Sequence, residues 1–400
     1  MTPTEKIVSD LCKDTFLSFW SFPNPIGKKG KELCDLLVVC DPDIIIFSVK
    51  DISIKESGNI DVDIDRWLKR AIDSSAAQIY GAERIINLKE EILISDQTTK
   101  IKLPEKGIRN VYRVAVAFGR GDKFPLKYGD LGKGFVHVFD EKSIHIILRE
   151  LDTIRDFTDY LNAKEEFAIS GIRQISFSNE DMLALYLQNG FSFPDTDKTL
   201  LYVMDDLWEG YSKSEEYRHE KEANKPSYIW DGIIETMHND FQNGQTVYTT
   251  SREEIELSVR QMNKENRFGR RQLSKCLQEV IGFDDGTKTP NSRIVKAQID
   301  GSPVYVFLAR PFEHREERFK ELQLRCMVGR QMHKDTTVVI GIATEKYKKD
   351  AGFSLDICYL YLPEWTKEMD EKTNEAKEKL GMYKNAKWSR VTPDGQKHYS

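Results

Sequence analysis

The sequence predicts a mixed α/β (α+β) protein, and three observations carry that expectation. Short runs rich in Val, Ile and Leu at 33–40, 44–49, 111–118 and 135–139 have the length and composition of buried strands. Helical apolar spacing occupies 4–20, 63–87 and 143–161 around them. A polar, mainly helical stretch follows from about 166, and strand-like runs return at 304–308, 337–343 and 357–362. The expected organisation is an N-terminal mixed-sheet domain at 1–165, a helical region at 166–290 and a C-terminal α/β domain at 291–400. A chain of 400 residues can bury sizeable cores in domains of that size.

The first helix is expected over Thr4–Trp20, with Thr4 as N-cap and Ile7, Leu11, Phe16 and Trp20 on its apolar face. A basic loop with Lys28, Lys29 and Lys31 precedes the first strand. Asp41-Pro42-Asp43 separates the two apolar runs and supplies turn chemistry, with Pro42 at a first central position. Side chains alternate along a strand, so Ile44, Ile46, Ser48 and Lys50 share a face. A two- or four-residue loop puts Asp35 on that face, and a three-residue loop puts it on the other. The helical stretch Asp63–Asn87 carries Trp67, Ala71, Ser74, Gln78, Ala82 and Ile85 at helical spacing, with Ala76, Ala77 and Gly81 small enough for close packing on the sheet. Beyond it, Glu91–Leu103 reads as a hairpin around Ser95-Asp96-Gln97. The loop from Gly119 to Gly134 lacks the GxxxxGK[ST] order of a phosphate loop.

Each strand of the first hairpin carries a polar residue that a plain core excludes. A carboxylate such as Asp35 at the end of a buried strand suits a hard divalent cation, which takes oxygen ligands. A nearby lysine orients an attacking water or neutralises charge on a phosphate. A structural alternative stands beside this: a buried carboxylate needs a partner, and an ion pair with Lys50 serves as well as a metal.

With Asp35, Ser48-Val49-Lys50 and the order helix, hairpin, helix, the first quarter of the chain resembles the PD-(D/E)xK nuclease superfamily, the restriction-endonuclease-like fold. The resemblance implies that Asp35 binds Mg2+ (or Mn2+), helped by Glu32 or by an acid of the first helix, Glu5, Asp10 or Asp14. It makes Lys50 the residue that positions water and Gln78 an accessory residue. Ser48 departs from the pattern, which has Asp or Glu there. The implied activity is cleavage of phosphodiester bonds in nucleic acid, with DNA favoured over RNA, in the company of bacterial restriction or phage-defence nucleases. A homo-oligomer or a defence-system partner protein belongs to the same expectation. Ser48 favours the rival, a non-catalytic nucleic-acid-binding or assembly protein on a decayed nuclease fold. A toxin-like RNase shares the site and changes the substrate.

The net charge of −6 does not advertise nucleic-acid binding, which needs only a local basic surface. Besides the lysine loop, Arg260, Lys264, Arg267, Arg271 and Lys275 follow spacings of four, three, four and four along one predicted helical face, with Arg270 beside them. That stripe reads either as a phosphate-tracking surface or as a solvated face balanced by Glu265 and Glu279. Trp208, Tyr228 and Trp230 read as packing between helices. Glu345 and Asp356, near strand ends, have no convincing catalytic partner in sequence. Six scattered cysteines without CxxC spacing point to reduced thiols and a cytoplasmic location, and no apolar run reaches the length of a membrane span.

Overall fold

The computed structural model describes residues 1–121, 124–170, 173–175, 178–194, 200–202, 206–243, 251–282, 291–297, 301–350, 352–383, 389–391 and 397–399. The chain forms two compact units, Met1–Glu222 and Ala223–Ser400. The helices of 166–222 thus belong with the first sheet and those of 223–290 with the second. The expected boundary at 290/291 adjoins residues 283–290, which lie outside the described residues.

The first unit runs α1 (Pro3–Phe16), β1 (Ser21–Pro23), β2 (Leu36–Cys40), β3 (Asp43–Asp51), α2 (Ile60–Trp67), a π-helical stretch (Leu68–Asp73) and α3 (Ser74–Leu88). The small hairpin β4 (Glu91–Leu93) and β5 (Lys100–Lys102) leads to β6 (Asn110–Phe118), β7 (Gly129–Asp130) and β8 (Phe135–Asp140). Next come α4 (Glu141–Glu150), α5 (Ile154–Ile169), β9 (Arg173–Ile175), α6 (Asn179–Gln188), β10 (Leu200–Tyr202), α7 (Leu207–Ser212) and α8 (Glu215–Asn224). The mixed sheet has the order β1-β2-β3-β6-β8-β7, in which β2 and β3 are antiparallel while β3, β6 and β8 run parallel. A parallel neighbour needs a crossover, and α2 with α3 provides it between β3 and β6.

Both faces of the sheet are covered, which explains why its strands read as continuous apolar runs. On one face Leu37, Val39, Ile44, Ile46, Ala115 and Val138 meet Trp67, Ile72, Ile79 and Ile86 of the crossover helices. On the other, Phe47 stacks on Phe157 of α5 at 6.4 Å, and Phe16 of α1 lies 5.4 Å from the same ring. Three local expectations need correction. Thr2, not Thr4, caps α1, because Pro3 fits the first helical turn and Glu5 completes a capping box with Thr2. Ile7 is 46 % exposed. Along α3 the buried stripe is Ser75, Ala76, Ile79, Ala82 and Ile86, so Ser74 and Ala77 face solvent and nothing lies against Gly81. The close approach of backbones occurs instead at Gly119, where φ is +81° and a Cβ would meet the Ile52 carbonyl oxygen at 2.6 Å.

The second unit begins with α9 (Tyr228–Gln242), α10 (Arg252–Asn263) and α11 (Arg267–Ile281). It continues with β11 (Ser292–Lys296), β12 (Val304–Ala309), α12 (Arg315–Met332), β13 (Val338–Thr344), β14 (Asp356–Tyr361), α13 (Lys367–Leu380) and the pair β15 (Ser389–Val391) and β16 (Lys397–Tyr399). Its sheet has the order β11-β12-β13-β14, with only β12 and β13 parallel and α12 crossing between them. Gly341 lets α12 settle on the sheet, since a Cβ there would fall 2.6 Å from Cys326 Sγ. Glu345 and Asp356 are held in structural ion pairs: the fully buried Arg318 pairs with both, at 3.0 and 2.5 Å, and Arg315 also bonds to Asp356. Trp230 is buried, donates to the Met262 carbonyl and meets Tyr305 edge-on at 5.2 Å, which is helix packing as expected.

One buried charge in the first unit is unusual. Lys164 of α5 is fully buried, with its ammonium 4.6 Å from the Phe139 ring and 4.9 Å from the Tyr128 ring, and it donates to Asn179 Oδ1. Burial pulls its pKa down to about 7, against a small opposing effect of Glu180. Between about pH 7 and 10 the unfolded chain therefore holds a proton that the folded chain has released, so stability rises with pH at about 1.4 kcal/mol per unit. Below about pH 7 the cost of burying the ammonium is present in full. Urea midpoints between pH 7 and 10 should show this rise, and Lys164→Met should flatten it. An unchanged slope in the variant would assign the rise to other groups.

Candidate active site

The pairing of β2 with β3 puts Leu36 opposite Phe47 and Cys40 opposite Asp43, leaving only Asp41 and Pro42 in the turn. Pro42 follows a cis peptide and takes the second central position, not the first. With a two-residue loop, Asp35 comes opposite Ser48 and on the face of Ser48 and Lys50. Just upstream, Ile26 bridges to Glu32, and the turn between them exposes Lys28, Lys29 and Lys31 beside Glu32.

Asp35 is 4 % exposed and its carboxylate is densely held. Val49 N–H donates to Oδ2 at 2.5 Å, Gln78 Nε2 donates to Oδ1 at 2.9 Å, and Lys50 Nζ lies 3.6 Å from Oδ2. Gln78, one residue before the buried Ile79 of α3, also accepts from Ser48 Oγ at 2.9 Å and from Lys50 Nζ at 2.7 Å. The four residues Asp35, Ser48, Lys50 and Gln78 therefore form one connected cluster. Ser48 is fully buried and spends its hydroxyl on Gln78.

Glu32 adds a second carboxyl group. Glu32 is exposed on the turn, and desolvation first, then the neighbouring Asp35 and Glu5, push its pKa up to about 7, with the N-terminal ammonium acting the other way. Of the first-helix acids, Glu5 is thus the one that Glu32 feels, although its Oε2 also accepts from Thr2 N–H at 2.8 Å. Asp10 pairs with Lys6 at 3.2 Å, and Asp10 and Asp14 are both exposed. Among the described residues no three ligating side chains already stand together as an ion cage.

The basic stripe does not survive folding. Asn266 caps α11 and ends the run from α10, so the five basic residues do not share a helix. Arg267 is buried and pairs with Asp231 at 2.7 Å, stacking on the Tyr228 ring at 4.5 Å. Arg260 pairs with Glu256, and Arg271 donates to Asn224. Arg270, beside the stripe, is buried against Asp231, the Glu265 carbonyl and Asn263. Lys264 is half-buried in the interhelical turn, and only Lys275 is exposed.

A cleft of about 1,090 Å³ opens at the carboxyl ends of β6 and β8. Ala117, the register partner of Lys50, lines it, together with Arg120, Asp140, Lys142, Glu180, Asp181 and Trp208. Its arginine and its lysine are both paired, Arg120 with Asp140 at 2.9 Å and Lys142 with Glu180 at 3.0 Å, and further acids such as Glu141 and Asp181 line it. Two residues of the first unit escaped the sequence reading. Lys164 occupies a buried helical position among Tyr160, Leu161 and Phe167, a spacing that signals burial. Asn24, whose Nδ2 donates to Glu32 Oε2 at 3.2 Å, gives no sequence signal beyond its place between two prolines.

No family model matches this chain, and no curated protein matches it. Among the described residues no helix is long and apolar enough to cross a membrane.

Two stability measurements check these assignments. Asp35→Ala should cost about 1–3 kcal/mol more than Asp35→Asn in urea unfolding, because alanine leaves the buried Val49 N–H without an acceptor. Arg270→Ala should destabilise the second unit by about 3–5 kcal/mol, as expected for breaking a buried pair. A change below about 1 kcal/mol would return Arg270 to the surface-charge class.

Proposed function

We propose that this protein is a metal-dependent phosphodiesterase acting on nucleic acid, DNA in preference to RNA, built on a PD-(D/E)xK-like core. The observation that carries the reading is the cluster of Asp35, Gln78 and Lys50 across the hairpin, with Glu32 three residues before Asp35 as a second carboxyl group. Support comes also from the order of elements: helix, antiparallel hairpin, crossover helices, parallel strand. Ser48 cannot supply the second carboxylate of the family pattern, and Glu32 takes that part from the other side of Asp35.

The donor set fits a hard divalent cation in kind, since the carboxyl groups of Asp35 and Glu32, three residues apart, are oxygen ligands. Asp35 and Glu32 would hold Mg2+ or Mn2+, with Glu5 near enough to contribute charge. Such an ion lowers the pKa of bound water and polarises a phosphoryl oxygen. The chain's own residues do the rest. Lys50 sets a positive charge beside the acids, where charge develops on a phosphate during attack. Gln78 accepts from Lys50 and donates to Asp35, so both are held at fixed positions before substrate arrives. Lys28, Lys29 and Lys31 offer phosphate contacts beside Glu32.

The competing reading is a nucleic-acid-binding protein that no longer cuts, and the direct Lys50–Asp35 ion pair favours it. Cleavage of plasmid DNA and of single-stranded RNA, with Mg2+ or Mn2+ and with chelator, separates the two. The expected result is metal-dependent cutting of DNA that falls by roughly 10²–10³ in Lys50→Ala and is lost in Asp35→Ala. Binding without cutting on every substrate would support the rival, and cutting unaffected by both substitutions would place the active site elsewhere.

A further inference from the structure

We infer that Asn24 is a positioning residue of the acidic site, holding Glu32 in the orientation from which it meets a divalent cation; this rests on the nuclease reading above. Asn24 lies between Pro23 and Pro25 with φ at +49°, a left-handed conformation that asparagine tolerates better than most residues. Its backbone N–H donates to the Asp35 carbonyl at 3.1 Å, and Leu33 N–H donates to the Pro25 carbonyl at 2.7 Å. The segment is thus laced to the same stretch of chain that carries both acids. From there the Asn24 amide nitrogen reaches Glu32 Oε2 at 3.2 Å.

The other end of the same amide is informative. Asn24 Oδ1 is buried and has no hydrogen-bond partner among the described residues. An unpaired buried acceptor costs about 1–3 kcal/mol, a cost that glycine, equally suited to the positive φ, would not carry. The amide is oriented by its donor end, toward Glu32. A neutral donor on one oxygen of Glu32 fixes the carboxylate without cancelling its charge, which leaves its other lone pairs for a cation. Residues that orient a ligand in this way change metal affinity by about 10–100-fold when removed.

The test is calorimetric titration of Mn2+ into the full-length protein without nucleic acid, in the parent, Asn24→Gly and Asn24→Asp. Glycine keeps the backbone conformation, and thermal melting of the metal-free variants checks that both fold. The expected result is Mn2+ binding weakened about tenfold or more in Asn24→Gly. Asn24→Asp should weaken it too, because a like charge replaces the donor beside Glu32. Binding within about twofold of the parent in Asn24→Gly would overturn the inference while leaving the nuclease reading intact. Tighter binding in Asn24→Asp would also overturn it, by making residue 24 a direct ligand. A parent that takes up no Mn2+ would overturn both.

Discussion

The pairing of β2 with β3 across a two-residue turn is the constraint on which the rest of the site depends. Strand side chains alternate with a period of two, so one more residue at Asp41–Pro42 would send Asp35 to the opposite face from Ser48 and Lys50. The face that Asp35 shares is set in turn by Ile44 and Ile46, which α2 and α3 cover. Burial of each such aliphatic side chain contributes about 1.5–3 kcal/mol, and a shifted register would expose the whole set. Gln78 inherits its position from the same packing, because Ile79 beside it is locked into the core. Polar geometry at the end of the hairpin is thus fixed by apolar contacts further along it.

The electrostatics follow from that placement. Asp35 is deprived of water and compensated by a backbone amide, a glutamine amide and an ammonium, a donor set sufficient for one carboxylate. Among the described residues Glu32 forms no ion pair of its own, and desolvation first, then Asp35 and Glu5, push its pKa up to about 7. The ion pair with Lys50 accounts for the buried Asp35, while the exposed Glu32 needs no cation, so the functional reading draws on the cluster of Asp35, Gln78 and Lys50.

What was legible in the sequence was whatever local pattern controls. The apolar runs and the turn residues located the hairpin, and alternation put Ser48 and Lys50 on one face before any contact was known. Loop length was not legible, because Asp41-Pro42-Asp43 suits several turns, and only the pairing of Cys40 with Asp43 decides among them. Gln78 was legible as a helical position, but its threefold role depends on how deeply α3 sits on the sheet. The basic stripe misled because spacing alone cannot see Asn266 starting a new helix, nor Asp231 drawing Arg267 and Arg270 inward. Arg318 with Glu345 and Asp356 was invisible for the same reason: the partners lie far apart in sequence and meet only through the crossover of α12.

Loss of that stripe narrows where a polyanion can approach. The protein carries a net charge of −6, so long-range attraction for nucleic acid has to come from a local surface. In the second unit the arginines that promised such a surface are spent on internal partners. In the first, the cleft at the ends of β6 and β8 holds its cations in pairs with acids, which leaves little field for a phosphate there. Lys28, Lys29 and Lys31 are exposed on the turn that delivers Glu32, and geometry links them to the acids through the Ile26–Glu32 bridge. Three exposed lysines release few counterions, so affinity drawn from them alone would be modest and would fade with salt. On the function proposed above, productive engagement would then depend on the acidic site itself, where a divalent cation would turn a cluster that repels phosphate into one that receives it.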